Sequence, residues 1–285
     1  MKTPRGLQAL IDDGVIDEVI RPLKSGKEAA VYVVRAGGEI RCAKVYKDLR
    51  QRSFQARAQY QEGRKVRGSR EARAMAKSTH YGRRQQEAVW KNTEVDALYR
   101  LADAGVRVPR PHGFFNGVLV MELVTDADGR CAPRLGEVEL SPERAREYHA
   151  ILIRQIVRML CVGLVHGDLS EYNVLVGPEG PVIIDLPQAV DAAGNHGALA
   201  MLERDVANIG ECLARFAPEL REGRHAREMW ALFEASELRP ESVLTGVFDD
   251  PDTAPDVQAV MEAINDARAE ALIRQQGREA AAAGE

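Results

Sequence analysis

Apolar positions along this 285-residue chain change their period near the middle. Leu7, Leu10, Ile11, Val15 and Ile16 recur at helical spacing and predict a leading helix over residues 1–19, with Gly14 as a break. Residues 29–35 (AAVYVVR) and 39–46 (EIRCAKVY) are β-branched runs joined at Ala36-Gly37-Gly38, a hairpin pattern. Val89, Trp90, Val95, Leu98, Tyr99 and Leu101 predict an amphipathic helix over 86–104, closed by Gly105 and by Pro109 and Pro111. Two strands follow over 112–124, divided at Asn116-Gly117. The second half is helical. A helix capped by Ser141, with Pro142 in its first turn, runs to about Cys161. Short buried strands are predicted at 174–176 and 182–184, and helices over 199–216, 225–236 and 255–275.

This order predicts an α+β, bilobal fold. An N-terminal helix (1–19) leads into a β-rich small lobe (20–121), which joins a reduced helical large lobe (122–275) near residues 121–125; 276–285 form a frayed, Ala-rich tail.

Charge changes this picture at one place. The chain carries a net charge of −4, yet residues 47–84 hold twelve Lys or Arg against three Asp or Glu, a local net of +9. Few large apolar residues accompany them, which predicts a flexible basic loop over about 47–85. Two readings fit it: a loop kept soluble by charge, or an arm that contacts phosphates of a nucleic acid or another anionic partner. The four cysteines are scattered and form no CxxC pair, so neither a zinc site nor a disulfide framework is indicated. No apolar run is long enough to span a bilayer, and no signal core follows Met1. These features predict a cytoplasmic chain without a membrane partner.

Candidate chemistry concentrates between His166 and Asp185. The stretch His166-Gly167-Asp168-Leu169-Ser170-Glu171-Tyr172-Asn173 places an Asp five positions before an Asn, and Asp185 follows a second apolar run. Phosphoryl transfer from Mg-ATP needs this set: one carboxylate for the proton of the attacking hydroxyl, and an amide and a carboxylate for the metal ions. A Gly, Gly167, stands where protein kinases usually carry Arg.

Six segments in this order resemble the RIO family of atypical protein kinases, over about residues 20–215. They are Ser25-Gly26-Lys27-Glu28-Ala29-Ala30-Val31-Tyr32, Ala43-Lys44-Val45-Tyr46-Lys47, the basic loop, Glu94 within Trp90-Lys91-Asn92-Thr93-Glu94, the His166–Asn173 loop, and Ile183-Ile184-Asp185-Leu186-Pro187-Gln188. Ala30 stands where the family often has Asn, and Asp185-Leu186-Pro187 replaces Asp-Phe-Gly. About a dozen residues separate Asp185 from the next predicted helix, too few for a long activation segment. The short N-terminal stretch fits the family branch without a winged-helix domain.

The resemblance implies a serine/threonine protein kinase or ATPase using ATP and Mg²⁺, with Mn²⁺ as an alternative metal. Asp168, Lys44 and Glu94 would be catalytic: Asp168 orients the hydroxyl, and Lys44 paired with Glu94 holds the α- and β-phosphates. Ser25, Gly26 and Lys27 would form the phosphate loop, although a plain hairpin turn reads equally well and Lys27 is either a phosphate contact or a surface charge. Met121, Glu122 and Leu123 would connect the lobes, with backbone groups of Glu122 and Leu123 meeting adenine. Asn173 and Asp185 would hold the metal. His166 and Asp205 are expected to support the loop through hydrogen bonds. The acceptor would be a protein serine, including the chain's own, and partners would include RNA or a ribosomal particle met through the basic loop. Two other classes stay open. Aminoglycoside and choline kinases share His-Gly-Asp with Asn five residues on, and a nucleotide-gated RNA or ribosome-binding switch would use the same site slowly.

Overall fold

The computed structural model describes residues 3–26, 29–47 and 93–248. Lys27, the basic loop beyond Lys47, the start of the 86–104 helix, the 255–275 helix and the 276–285 tail lie outside them. The chain divides into two compact units, Met1–Val247 and Phe248–Glu285, and the described residues fall in the first apart from Phe248.

Five strands form one antiparallel sheet: β1 (Glu18–Ser25), β2 (Ala29–Ala36), β3 (Glu39–Tyr46), β4 (Pro111–Phe115) and β5 (Val118–Glu122), in the order β1-β2-β3-β5-β4. The β4–β5 turn places both Asn116 (φ 48) and Gly117 (φ 81) in the left-handed region, as a two-residue hairpin turn requires. The predicted leading helix is shorter than its pattern. Helix α1 covers Arg5–Asp12, Gly14 turns the chain at φ 70, and residues 18–25 are β1. Ile16 is buried after the turn and so extends the helical rhythm without being helical. As an edge strand β1 is exposed at every position but Val19, and its exposure hides it from any alternation test.

The sheet's two faces do different work. Leu7, Leu10 and Ile16 pack against Val34, Ala36, Ala43, Val118 and Val120, so α1 closes one face. On β3, Ala43 points to that side. Strand parity sends Cys42, Lys44 and Tyr46 to the other, where Tyr46 and Leu119 meet Val95 and Leu98. Those two belong to helix α2, which is helical over 93–103 and stops at Gly105 (φ 71).

Helix α3 (Pro142–Cys161) begins at Ser141, whose Oγ accepts from the Arg144 N–H at 3.2 Å, and is the spine of the helical part. Two-stranded sheets flank it. β6 (Leu164–Val165) pairs with β9 (Val190–Asp191), and β7 (Val174–Gly177) pairs with β8 (Gly180–Ile183). Helices α4 (Ala198–Leu213) and α5 (His225–Glu234) complete it. Only residues 186–197 lie between Asp185 and α4, and β9 occupies two of them. The architecture is the α+β, bilobal, kinase-like one. Among the described residues no helix is long and apolar enough to cross a membrane.

One histidine pair, a buried ring against a half-buried one, makes the fold acid-sensitive. His149 on α3 is 6% exposed, and its ring centroid lies 5.2 Å from that of His225 on α5. Burial, then the His225 charge, lowers His149 to about 4, and burial also lowers His225. Burial disfavours charging either ring in the folded chain, so below the ordinary value of 6.5 the unfolded chain binds more protons than the folded one. Stability should hold above pH 6.5 and fall by on the order of 2 kcal/mol for His149 as pH drops towards 4. Urea unfolding of His149→Gln across this range should show a flatter slope than the parent chain.

Candidate active site

β3, α2 and the segment after β8 bring three predicted residues together. The Lys44 Nζ donates to Glu94 Oε1 at 2.6 Å and to Asp185 Oδ1 at 2.9 Å. Glu94 is 4% exposed, whereas the Asp185 side chain is 48% exposed and open to a further cation. Burial alone would lower the Lys44 pKa, but Glu94 and Asp185 overcome it and raise it, so the ammonium stays charged. Burial likewise opposes the Asp185 charge, and Lys44 outweighs it, holding the carboxyl below its ordinary value.

Asp185 sits at φ 66, a left-handed conformation that Asp tolerates better than most residues. Its neighbours fix that turn. The Ile184 N–H donates to the Asn173 carbonyl at 2.9 Å, the Ile184 carbonyl accepts from His166 Nε2 at 3.1 Å, and Leu186 is 2% exposed. The same bonds tie the segment to the 166–173 loop.

Within that loop the Asn173 Nδ2 donates to the Asp168 carbonyl at 2.8 Å and lies 3.5 Å from Asp168 Oδ2. His166 Nδ1 accepts from the Asp168 N–H at 3.3 Å. With Nε2–H directed to Ile184, both ring nitrogens are engaged by backbone, which makes His166 a brace, as expected from the sequence. Helix α4 clamps the loop from below. Asp205, 1% exposed, accepts from the Gly167 N–H at 2.7 Å and the Leu169 N–H at 2.8 Å. Burial raises its pKa despite these bonds. Asn208 donates to the Leu169 carbonyl at 2.9 Å, and Arg204 to that of Gly167. Gly167 itself is dictated by sterics. Its φ is 78, and a Cβ there would stand 2.7 Å from the Gln188 carbonyl oxygen.

Ser25 and Gly26 close the β1–β2 turn, with the Gly26 N–H on the Ala29 carbonyl at 2.9 Å. Lys47 Nζ donates to Ser25 Oγ at 2.9 Å and to the Gly26 carbonyl at 2.7 Å. The sequence pattern assigned Lys47 to the basic loop and gave it no site role; its place three residues after Lys44 was the available signal. If the Ser25-Gly26 turn is the phosphate loop the sequence suggests, a Lys47→Met variant should free it and raise KM for ATP about threefold to tenfold, with kcat changed less. Steady-state kinetics over an ATP series checks this.

The lobe connection departs in part from expectation. Met121 packs against the main core, pairing with Cys42 on β3. The Glu122 N–H donates to the Arg110 carbonyl at 2.8 Å, so that amide is already used and cannot meet adenine. The Glu122 carboxylate takes both arms of Arg107, at 2.6 and 2.9 Å, and the Arg110 N–H at 3.0 Å. Burial opposes its charge, but the Arg107 and Arg110 bonds prevail and lower its pKa. A groove of about 930 Å³ is lined by Glu122 and Leu123 with Arg41, Arg107, Arg110 and His112. None of Lys44, Asp168, Asn173 and Asp185 lines it, so it is separate from the cluster above.

The donor set near Asp168 fits a hard cation. The amide of Asn173 turns its NH₂ to Asp168 and so leaves Oδ1 as an acceptor, and Asp185 offers a carboxylate. Among the described residues no group of three or more His, Cys, Asp or Glu is arranged to hold a metal alone, so the remaining ligands would be phosphate and water.

Comparison with known proteins identifies a family. A family model described as the RIO domain matches residues 30–226. The chain is 36% identical over 209 residues to the RIO-type serine/threonine-protein kinase Rio1 of Haloferax volcanii, covering 72% of this chain and 67% of that protein. It is 34% identical to the human serine/threonine-protein kinase RIO1 and 33% to that of Caenorhabditis elegans, over 72% and 71% of this chain. It spans only 35% and 38% of the length of those two. A solved kinase-domain structure superposes with a TM-score of 0.48 at 14% identity, covering 76% of this chain and 67% of that one. The family match takes in Lys44, Glu94, the 166–173 loop and Asp185, and on it the chain belongs to the RIO domain family.

Proposed function

We propose that this chain transfers the γ-phosphate of ATP to protein serine hydroxyls, its own included. The observation that carries the proposal is the junction at Lys44, where one ammonium joins Glu94 of α2 to Asp185 beside the Asp168–Asn173 loop. Three separate elements converge there on the groups that phosphoryl transfer requires. Lys44 holds the α- and β-phosphates, with Glu94 fixing its position. The Ser25-Gly26 turn, pinned by Lys47, covers the phosphates. Asp168 accepts the proton of the acceptor hydroxyl as that oxygen bonds the γ-phosphorus; the bond to the β–γ bridging oxygen breaks, and ADP leaves. Asn173 and Asp185 would hold Mg²⁺, or Mn²⁺ in its place, which when bound neutralises phosphate charge.

The short 186–197 segment lacks the length to form a long peptide-docking platform, which favours an acceptor delivered by tethering or by a bound particle. The basic loop, with its net charge of +9 over residues 47–84, supplies a means of binding RNA or a ribosomal particle. In the sequence Ser53, Ser69 and Ser78 fall between Lys44 of β3 and Glu94 of α2, so autophosphorylation is expected among them. An acceptor screen tests the proposal against a small-molecule phosphotransferase. Mg-ATP with proteins in one arm, and with aminoglycosides, choline and other hydroxylated molecules in the other, should give phosphoserine in the first and no product in the second. Phosphorylated small molecules alone would reject it.

A further inference from the structure

The two ends of the Lys44–Asp185 ion pair are anchored, a few residues away, on the same side chain and backbone: those of Arg107, in the segment between α2 and β4. The Arg107 guanidinium takes the Glu122 carboxylate with both arms, at 2.6 and 2.9 Å. Glu122 ends β5 and pairs across the sheet with Arg41 of β3, on the strand that carries Lys44. The backbone of Arg107 is bonded to the helical part. Its carbonyl accepts at 2.9 Å from the N–H of Ile183, the last residue of β8, on the segment that leads to Asp185. Its N–H donates at 2.9 Å to Oε1 of Gln155 on α3, and Gln155 is buried. Nη1 also donates to the Val108 carbonyl at 3.0 Å, which holds the guanidinium on its own turn. A fully exposed ion pair would contribute little. This one is bidentate and partly buried, its side chains 34% and 30% exposed, so it fixes direction as well as distance.

We infer that Arg107 is a positioning residue: its fork on Glu122 clamps the lobe connection to the helical part and so sets where Lys44 stands relative to Asp185. The inference rests on the reading of Lys44 as the phosphate-holding residue and of Asp185 as a metal ligand. Those two groups act on the same phosphates, one directly and one through the cation, so their spacing decides whether both engage at once. The bonds to Ile183 and Gln155 use only the Arg107 backbone. Replacing the side chain therefore releases the sheet end of the clamp and leaves the other end in place.

Arg107→Gln should keep the metal-free ATP affinity near the parent value. It should cut the strengthening of ATP binding by Mg²⁺ about threefold to tenfold and lower turnover at saturating Mg-ATP about tenfold. Glu122→Gln removes the clamp from its other side and should do the same. In a double-mutant cycle the two together should lose little more than the worse single variant. Val34→Ala, in the core on the other face of the sheet, serves as a control for general destabilisation and should keep the parent values. Calorimetric titration with ATP, with and without Mg²⁺, and turnover of γ-labelled ATP give the readouts. Parent-like Mg²⁺ enhancement in both single variants, or additive losses in the cycle, would overturn the inference even where the parent chain transfers phosphate. Coupled losses of Mg²⁺ enhancement in a parent chain that transfers no phosphate would uphold the clamp and overturn the phosphoryl-transfer reading alone. A parent chain whose ATP binding ignores Mg²⁺ would overturn both.

Discussion

Replacing Asp185 is expected to abolish metal-dependent nucleotide binding and to lower turnover by at least about a thousandfold, some 4 kcal/mol of transition-state stabilisation. Two losses combine. The carboxylate proposed to hold the metal disappears, and Lys44 loses one of its two acidic partners. Alanine adds a third, because Asp185 sits at φ 66, where a residue without a short polar side chain costs about 1 kcal/mol more. Asp185→Asn is therefore the cleaner variant. It keeps the backbone conformation and removes only the charge. Calorimetric titration with ATP should find that Mg²⁺ strengthens binding to the parent chain and has no effect on Asp185→Asn. Undiminished metal-dependent affinity would reject the assignment of Asp185 to the metal.

Asp168→Ala should fail differently. The bonds that anchor the loop at this position run through its backbone: the N–H to His166 Nδ1 and the carbonyl from Asn173 Nδ2. The carboxylate is at 3.5 Å from Asn173 and contributes little to the loop's shape. Thermal unfolding and Mg-ATP affinity should both stay near the parent values. Turnover should fall by about 10² to 10⁴, the range expected for loss of a positioned general base. Equal losses in affinity and turnover would assign Asp168 to nucleotide binding instead.

The parts of the site legible in the sequence are those whose chemistry is contiguous. His166 to Asn173 carries the proposed base, the amide and the brace within eight residues, and Asp185 follows an apolar strand, so spacing alone exposes them. Lys44 was legible only with Glu94. A lysine in a strand is usually a surface charge, and its meaning comes from the buried glutamate that the fold places at 2.6 Å. Helices and hairpins with strong periodicity, such as α3 and β4–β5, were equally plain. β1 was not, because an edge strand exposed on both faces carries no alternation. The two-residue strands β6 and β9 are too short to leave a pattern. Lys47 was hidden in a run of like charges, although it turns back to Ser25 and Gly26. Glu122 shows a further limit. Its amide is spent on Arg110, twelve residues earlier, a pairing that depends on sheet register and not on side-chain identity. Arg204 and Asn208 reach the loop only through the packing of α4, which no local motif announces.

The central claim, that the cluster around Lys44 serves Asp168 in moving phosphate from ATP to serine, has a direct test. The purified chain and its Asp168→Ala variant would each be incubated with Mg-ATP carrying an isotopic label on the γ-phosphate, and the protein examined by peptide mass spectrometry. The account predicts labelled phosphoserine in the parent chain, with sites among residues 47–84, and none in the variant, which should still bind nucleotide. Label incorporated equally by both proteins, or none in either while ATP is bound, would contradict it.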